Sequence, residues 1–162
     1  MSPKCIFAVF GLLLGSLVAW QGGAQAASSP FAGMAGSWSG SGSLTTSAGT
    51  QERLRCRAAY NVGGGGDHLQ LNLRCASDSY NFNLAGDVAH RNGAISGSWS
   101  ESTRNMGGSV SGRASGEQIQ VIATGGNFAA SLSLTTRGNR QAVSIRSQGG
   151  DITGVSVSLA KR

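Results

Sequence analysis

The chain has 162 residues, 26 of them glycine, and a formal net charge of +6. This length allows one domain with a single modest core and argues against a multidomain protein. Only two histidines and seven acidic residues are present, which leaves little material for metal or acid–base chemistry. A glycine share above the usual ~7% is also found in disordered chains, so the fold class depends on how the apolar residues are arranged.

The first residues have the features of a secretory signal peptide. Lys4 and the amino terminus supply positive charge, an apolar run covers 6–20, and a small-x-small cleavage pattern ends at Ala26. A retained membrane anchor is the alternative, but the run is shorter than the ~20 residues that a membrane span needs. Cys5 precedes the run, whereas a lipid-attachment cysteine would follow it. We therefore predict cleavage after Ala26, export to the periplasm or the extracellular space, and no membrane-spanning segment after cleavage.

Removal of the signal peptide, residues 1–26, would leave 136 residues with a net charge of +5, because Lys4 is lost. We expect a flexible N-terminal segment over 27–35 and one β-barrel domain over 36–162. The two cysteines that remain, Cys56 and Cys75, would enter an oxidising compartment, where a disulfide is the expected state.

Apolar and polar residues alternate along most of the mature chain. Between 53 and 58 the apolar side chains occupy the even positions, and arginines occupy the three odd ones. This period of two is typical of half-buried strands, and turn-forming Gly and Asn residues separate the segments. We predict strands near 36–46, 50–61, 68–76, 79–90, 94–102, 109–115, 117–124, 127–136, 140–147 and 152–160. The predicted fold is all-β: a single up-and-down antiparallel meander of about eight to ten strands that closes into a small barrel and so hides its edges.

The first glycine-rich turn predicts a strand register. If the hairpin is centred between Gly65 and Gly66, Cys56 lies directly opposite Cys75 on the inward face, and apolar residues oppose apolar residues along the pair. We therefore predict one cross-strand disulfide that fixes this register. A redox or metal-binding pair is the competing interpretation, but the spacing is not C-x-x-C and no further ligand is near.

A second hairpin is predicted at Asn92-Gly93, a residue pair that two-residue hairpin turns favour. Its register places Val88 opposite Gly97 and Gly86 opposite Trp99. We expect the missing side chain at Gly86 to make room for the large indole.

The first predicted strand opens with Gly36-Ser37-Trp38. A Gly-x-Trp at this place resembles the entry motif of the calycins, the group of small secreted barrels that includes lipocalins and avidins. In lipocalins the tryptophan closes one end of the barrel, and an arginine from late in the chain covers it. The resemblance therefore implies that Trp38 marks the closed end, with Arg137, Arg140 or Arg162 as its cap. Ten strands would exceed the eight of that group.

Two further stretches, LRCASDSYNFNL (73–84) and GSWSESTRN (97–105), resemble those of a family of small exported proteobacterial proteins. This second resemblance agrees with export and implies no particular activity.

We expect no enzyme activity from this chain. It lacks a Gly-x-Ser-x-Gly motif, a close carboxylate pair suited to glycoside hydrolysis, and the Lys-Ser/Thr of a phosphate loop. His68 is predicted to face solvent and His90 to border a turn, and no cluster of His, Cys, Asp or Glu suggests a metal site. We therefore predict no catalytic residue, no metal ligand and no cofactor.

The barrel interior is the first of two predicted binding surfaces. Its ligand-binding side chains would be the inward aromatic residues Trp38, Tyr60, Phe82, Trp99 and Phe128. Small inward residues are expected to leave space for an apolar or amphipathic molecule: Gly40, Gly42, Ala58, Gly86, Gly97, Gly112 and Ala130. The alternative is plain core packing, because barrels of about eight strands are largely filled by side chains.

The second predicted surface is an outward stripe of Arg53, Arg55, Arg57 and Arg74. The register places Arg57 opposite Arg74, a like-charge pair that costs stability, and Asp78 opposite Arg53 as a partial offset. A lipid A phosphate, an acidic glycan or an acidic protein surface would fit the guanidinium groups. A solvated face is the alternative, and nucleic acid is not expected because no aromatic stacking platform accompanies the stripe.

The sequence thus predicts an exported, non-catalytic binding protein of the cell envelope that holds a small apolar or amphipathic ligand in a calycin-like barrel. The alternative is a protein-binding module, such as an inhibitor or an adhesion factor, that uses the arginine-rich face and the loops. The ligand would enter at the end opposite Trp38, where the loops near 47–49, 76–79, 104–108 and 125–127 are expected, with Trp99 nearer to this opening than Trp38.

Overall fold

A computed structural model describes residues 28–162, and the predicted signal peptide lies outside these residues. Ten strands form the described part of the chain: β1 (Gly36–Thr46), β2 (Gln51–Gly63), β3 (His68–Ala76), β4 (Asn81–Arg91), β5 (Ala94–Glu101), β6 (Met106–Ser115), β7 (Gln118–Gly125), β8 (Phe128–Arg137), β9 (Arg140–Gln148) and β10 (Ile152–Lys161). The all-β prediction is confirmed. Across these residues, the structure contains no helix with the length and apolar character that a membrane crossing needs.

The strands form one closed antiparallel barrel in which each strand pairs with its neighbours in sequence. Closure comes from β1, which pairs with β2 on one side and with β10 on the other. The predicted up-and-down meander is therefore confirmed, with ten strands. The largest difference in strand limits is at β6, which begins at Met106 instead of near 109.

The first hairpin has the predicted register. Cys56 pairs with Cys75 and the two form a disulfide, and Arg57 pairs with Arg74. Between β2 and β3 the chain makes a short 3₁₀ turn at Gly64–Gly66, in which all three residues have positive φ. Glycine adopts this backbone conformation without the steric penalty of a Cβ atom, which explains the glycine run at the turn.

The second hairpin also has the predicted register, with Gly86 paired to Trp99. The expected reason for the glycine is wrong, however. A Cβ atom at Gly86 would meet the side chain of Leu71 at 3.7 Å, an ordinary contact, and the indole is not among its nearest neighbours. The Trp99 side chain extends the other way, across β6, and donates from Nε1 to the carbonyl oxygen of Thr124 on β7 at 3.2 Å.

Most of the inward glycines do not leave free space inside the barrel. The prediction that these small residues make room for a ligand is therefore wrong for them. A Cβ atom at Gly40, Gly42, Gly97 or Gly112 would overlap a backbone carbonyl oxygen of the adjacent strand. Glycine within a strand often marks a bend or a close approach of another backbone. These residues therefore allow tightly coiled strand pairs, and any free volume inside the barrel must come from elsewhere.

One apolar cluster extends through the barrel from Trp38 to Leu44 and Leu54 near the other end. Five of its side chains are the most completely buried of the described residues: Phe31, Met34, Trp38, Leu44 and Leu54. Two of them, Phe31 and Met34, come from the segment 27–35, which was predicted to be flexible and to lie outside the barrel. In the structure residues 28–35 cover one end of the barrel.

Candidate functional site

The Trp38 end of the barrel is closed by the residues that precede β1. Trp38 is 1% exposed, and its Nε1 donates to the Met34 carbonyl oxygen at 2.7 Å. Its ring lies edge-to-face against Tyr60, with 6.2 Å between the ring centroids. The Ser29 hydroxyl donates to the Gly66 carbonyl oxygen, which ties the segment to the turn between β2 and β3. Trp38 therefore anchors a lid and has no face left for a ligand.

A lysine, and not one of the three predicted arginines, lies over the Trp38 indole. Lys161 pairs with Trp38 across the β1–β10 seam, and its Nζ lies 5.7 Å from the ring centroid, within the range of a cation–π contact. Arg162 follows Lys161, so its side chain lies on the opposite, outward face, where its Nε donates to Ser39 Oγ at 2.7 Å. Arg137 is paired with Glu117 at 2.9 Å, and Arg140 is exposed at the start of β9.

A small polar network lies inside the barrel at this end. The Tyr60 hydroxyl donates to Gln141 Oε1 at 2.6 Å, and Gln141 Nε2 donates to Thr136 Oγ1 at 3.0 Å. Burial raises the pKa of the Tyr60 hydroxyl, so it stays neutral and a hydrogen-bond donor. Gln141 was missed in the sequence analysis, although it occupies an inward position in the alternating pattern of β9 together with Val143 and Ile145.

The two histidines lie on opposite sides of the barrel wall. His68 faces outward as predicted and lies 2.8 Å from Asp87. His90 is largely covered: its Nδ1 lies 3.0 Å from Asp67, and its ring packs against Phe31. Among residues 28–162 no group of three or more His, Cys, Asp or Glu side chains could hold a metal ion.

The opposite end, which we call the Trp99 end, has looser packing of its aromatic side chains. Trp99 is 9% exposed and packs against the half-buried Phe128, with 5.4 Å between the ring centroids. A Cβ atom at Gly108 would overlap the Thr124 carbonyl oxygen, the acceptor of the Trp99 hydrogen bond. Gly108 therefore brings this acceptor within reach of the indole.

Phe82 lies on another wall at the rim of the Trp99 end. Its ring stacks with Tyr80, with 6.3 Å between the ring centroids, and the Arg104 guanidinium lies 4.9 Å above it. Arg104 also donates to the Asn81 carbonyl oxygen at 3.2 Å. The rim thus presents a cation over a half-buried aromatic surface.

Glu101, 6% exposed, holds the loop between β5 and β6 in place. Its carboxylate accepts hydrogen bonds from the backbone amides of Asn83, Thr103 and Arg104. Desolvation raises the pKa of this carboxyl group, but the hydrogen bonds together outweigh it, so the pKa lies below its ordinary value. The buried charge therefore has a structural role in positioning the Arg104 loop.

Inward apolar side chains differ in burial along the barrel. Buried ones occur at both ends, such as Leu69, Ile95 and Ile119 at the Trp38 end and Leu44, Leu54 and Ala123 at the Trp99 end. Between these groups, many inward side chains are half-buried: Leu71, Leu73, Phe82, Leu84, Val110, Val121, Leu132, Val143 and Ile145. An inward side chain in a fully packed barrel would have almost no exposed surface. These half-buried side chains therefore leave apolar surface unfilled in the middle of the interior.

The five predicted ligand-binding residues thus fall in three places. Trp38 and Tyr60 pack together at the closed end, Trp99 and Phe128 pack together at the other end, and Phe82 lies at the rim beside Arg104. The structure does not bring all five into one site.

The outward arginines line a groove on the outer face of β1–β4. It contains Arg53, Arg55, Arg57 and Arg74, and the open groove has a volume of about 990 Å³. Arg162, which the sequence analysis considered only as a cap for Trp38, also lines it. We call these five residues the arginine groove.

Asp78 does not pair with Arg53 as predicted, since the ion pairs of the described chain involve other residues. Strand β3 ends at Ala76, two residues before Asp78. The chain then turns so that the Ser77 hydroxyl and the Ser79 amide donate to Glu52, at 2.7 and 3.0 Å. The arginine groove therefore lacks the carboxylate that the register had suggested.

No family model and no curated protein sequence matches this chain. Several solved structures are similar to it, and two of them are the following. Rv2717c from M. tuberculosis aligns with a TM-score of 0.65 and 13% identity over 83% of this chain and 94% of its own. An S-type phycobiliprotein lyase, CPES from Guillardia theta, aligns with a TM-score of 0.59 and 11% identity over 82% and 89%. At these identities the similarity shows the barrel fold alone and does not assign a family.

Proposed function

We propose that this protein is an exported, non-catalytic binding protein of the cell envelope that holds a small apolar or amphipathic molecule inside its barrel. The observation that carries the proposal is the half-burial of the inward side chains in the middle of the barrel. Because the Trp38 end is covered by Phe31 and Met34, a ligand would enter from the Trp99 end.

The chemistry of the Trp99 end favours an amphipathic ligand. Apolar side chains such as Val110, Leu132 and Ile145 would contact its hydrocarbon part, which gains free energy in proportion to the area removed from water. At the rim, the Arg104 guanidinium would meet a polar or anionic head group. Arg104 is 38% exposed at its side chain and lies directly above Phe82, so it can reach a ligand that enters there.

The state of the inward polar groups supports binding without catalysis. Tyr60, Gln141 and Glu101 are each committed to hydrogen bonds with the protein itself. A general acid or base must instead reach the substrate at hydrogen-bond distance. Their roles are therefore structural under this proposal.

Neighbouring residues on β7 provide a matched test. Val121 faces inward and is half-buried, whereas Ile122 faces outward and is 54% exposed. If the interior has free space, Val121→Phe should fill it, leave the melting temperature nearly unchanged and abolish binding of an apolar fluorescent probe such as anilinonaphthalene sulfonate. Ile122→Phe should leave both properties unchanged.

A filled core gives the opposite result. An enlarged side chain in a well-packed interior costs about 1–3 kcal/mol, so Val121→Phe would then lower the melting temperature while the wild-type protein bound no probe. That outcome would reject the ligand-binding proposal and favour the protein-binding alternative.

A further inference from the structure

The arginine groove concentrates positive charge on one part of the outer surface. Arg53, Arg55 and Arg57 alternate along β2, so their Cα atoms follow one another at about 6.7 Å on the same face. Arg74 lies directly across from Arg57 on β3. On the other side, the Arg162 guanidinium is held by Ser39, the β1 residue that pairs with Arg57. Three guanidinium groups therefore follow one another across four strands at the level of Arg57.

The charges of this groove are not neutralised within the described chain. None of the five arginines takes part in an ion pair, whereas Arg104 and Arg137 each have a glutamate partner. Arg57 and Arg74 oppose each other directly, an arrangement that destabilises the strand pair. Because no carboxylate of the described residues lines the groove, its guanidinium groups have a net attraction for anions.

The other side chains that line the groove indicate which chemical class of partner it can bind. Outward hydroxyl and amide side chains complete the groove: Ser39, Ser41, Asn81, Asn83 and Thr103. Protein partners are usually anchored by large side chains in well-packed apolar pockets, and single-stranded nucleic acid by stacking on aromatic rings. Phe82, the aromatic residue that lines the groove, is already stacked with Tyr80 and covered by Arg104. The groove's donors therefore suit a ligand rich in hydroxyl groups and fixed negative charge.

We propose that the arginine groove binds an acidic glycan through its sulfate or phosphate groups. The planar guanidinium group makes two parallel hydrogen bonds to such anions, and the flanking hydroxyl and amide groups would bind the sugar hydroxyls. This second site lies on the outer face of the barrel and does not depend on a ligand in the interior.

Binding of a fluorescein-labelled heparin hexasaccharide, measured by fluorescence anisotropy, tests the proposal. The double variant Arg57→Gln/Arg74→Gln should weaken binding by about tenfold or more for each arginine lost, because each removes a charged hydrogen bond. The matched control is Arg113→Gln/Arg146→Gln, which removes the same charge from exposed arginines on the outer face of β6 and β9. This control should change the affinity by less than about threefold, the effect of net charge alone.

Three results would overturn the proposal. Equal losses in the two double variants would mean that heparin binds to overall positive charge and not to the groove. Tighter binding of a single-stranded DNA or an acidic peptide of equal charge would mean that the groove takes another class of partner. Binding of uncharged dextran as tight as that of heparin would mean that the guanidinium groups do not recognise the ligand.

Discussion

The two ends of the barrel each place a tryptophan on an inward position, yet the surroundings of the two indoles differ. Trp38 is covered by Phe31, Met34 and the lysine that lies over its ring, and its N–H bonds to the covering segment. Trp99 bonds to the barrel wall and packs against a half-buried ring. An inward tryptophan at the end of a strand is therefore not enough to form a ligand site. Whether its indole is accessible depends on which other part of the chain packs over it.

The strongest test of this comparison replaces one phenylalanine at each end of the barrel by alanine. Phe31→Ala should cost about 3–5 kcal/mol of unfolding free energy, the usual range for a fully buried phenylalanine. Phe128→Ala should cost about half as much, because that side chain is already half-buried. Urea denaturation of both variants measures the difference. Equal costs would show that the Trp38 end is not the more tightly packed one.

The disulfide is predicted to have the next largest effect. It links β2 and β3 inside the apolar cluster and closes a loop of about 20 residues, which is worth roughly 3 kcal/mol. Replacing Cys56 and Cys75 by alanine should therefore lower the melting temperature by about 10 °C. Peptide mapping without reductant should find the two cysteines linked in the exported protein, and free thiols in native protein would contradict the hairpin register.

Glu101 offers a test of the Trp99 end through pH. Because its folded-state pKa is lowered, its charge contributes stability that is present above its ordinary pKa of 4.5 and is lost as the pH falls through the folded-state value. Wild-type protein should lose stability between about pH 5 and pH 3. Glu101→Gln should be less stable at pH 7 and show a smaller loss over that interval. An unchanged pH profile in thermal melts would mean that the carboxylate does not hold the loop.

The sequence predicted those features of the barrel that depend on neighbouring residues. Alternation along each segment determines which side chains face inward, and the turn between β2 and β3 determines the pairing of Cys56 with Cys75. Both are local in the chain, so they could be inferred without a structure. The same locality explains why the outward arginine stripe could be inferred as a set of neighbours.

Features that depend on barrel closure could not be inferred in this way. The seam between β1 and β10 joins residues more than 100 positions apart, and no short turn determines its register. That register decides that Lys161 faces inward over Trp38 while Arg162 faces outward into the arginine groove. The steric role of Gly40 and Gly42 has the same origin, because their close neighbours are carbonyl oxygens of β10.

The central claim, that a ligand occupies the barrel near Trp99 and not near Trp38, can be tested most directly with tryptophan fluorescence. If the signal peptide is removed with Trp20, the exported chain has two tryptophans, so Trp38→Phe and Trp99→Phe each leave one. The account predicts that anilinonaphthalene sulfonate quenches the Trp99 emission of Trp38→Phe more strongly than the Trp38 emission of Trp99→Phe. Stronger quenching of Trp38, or no probe binding by the wild-type protein, would contradict it.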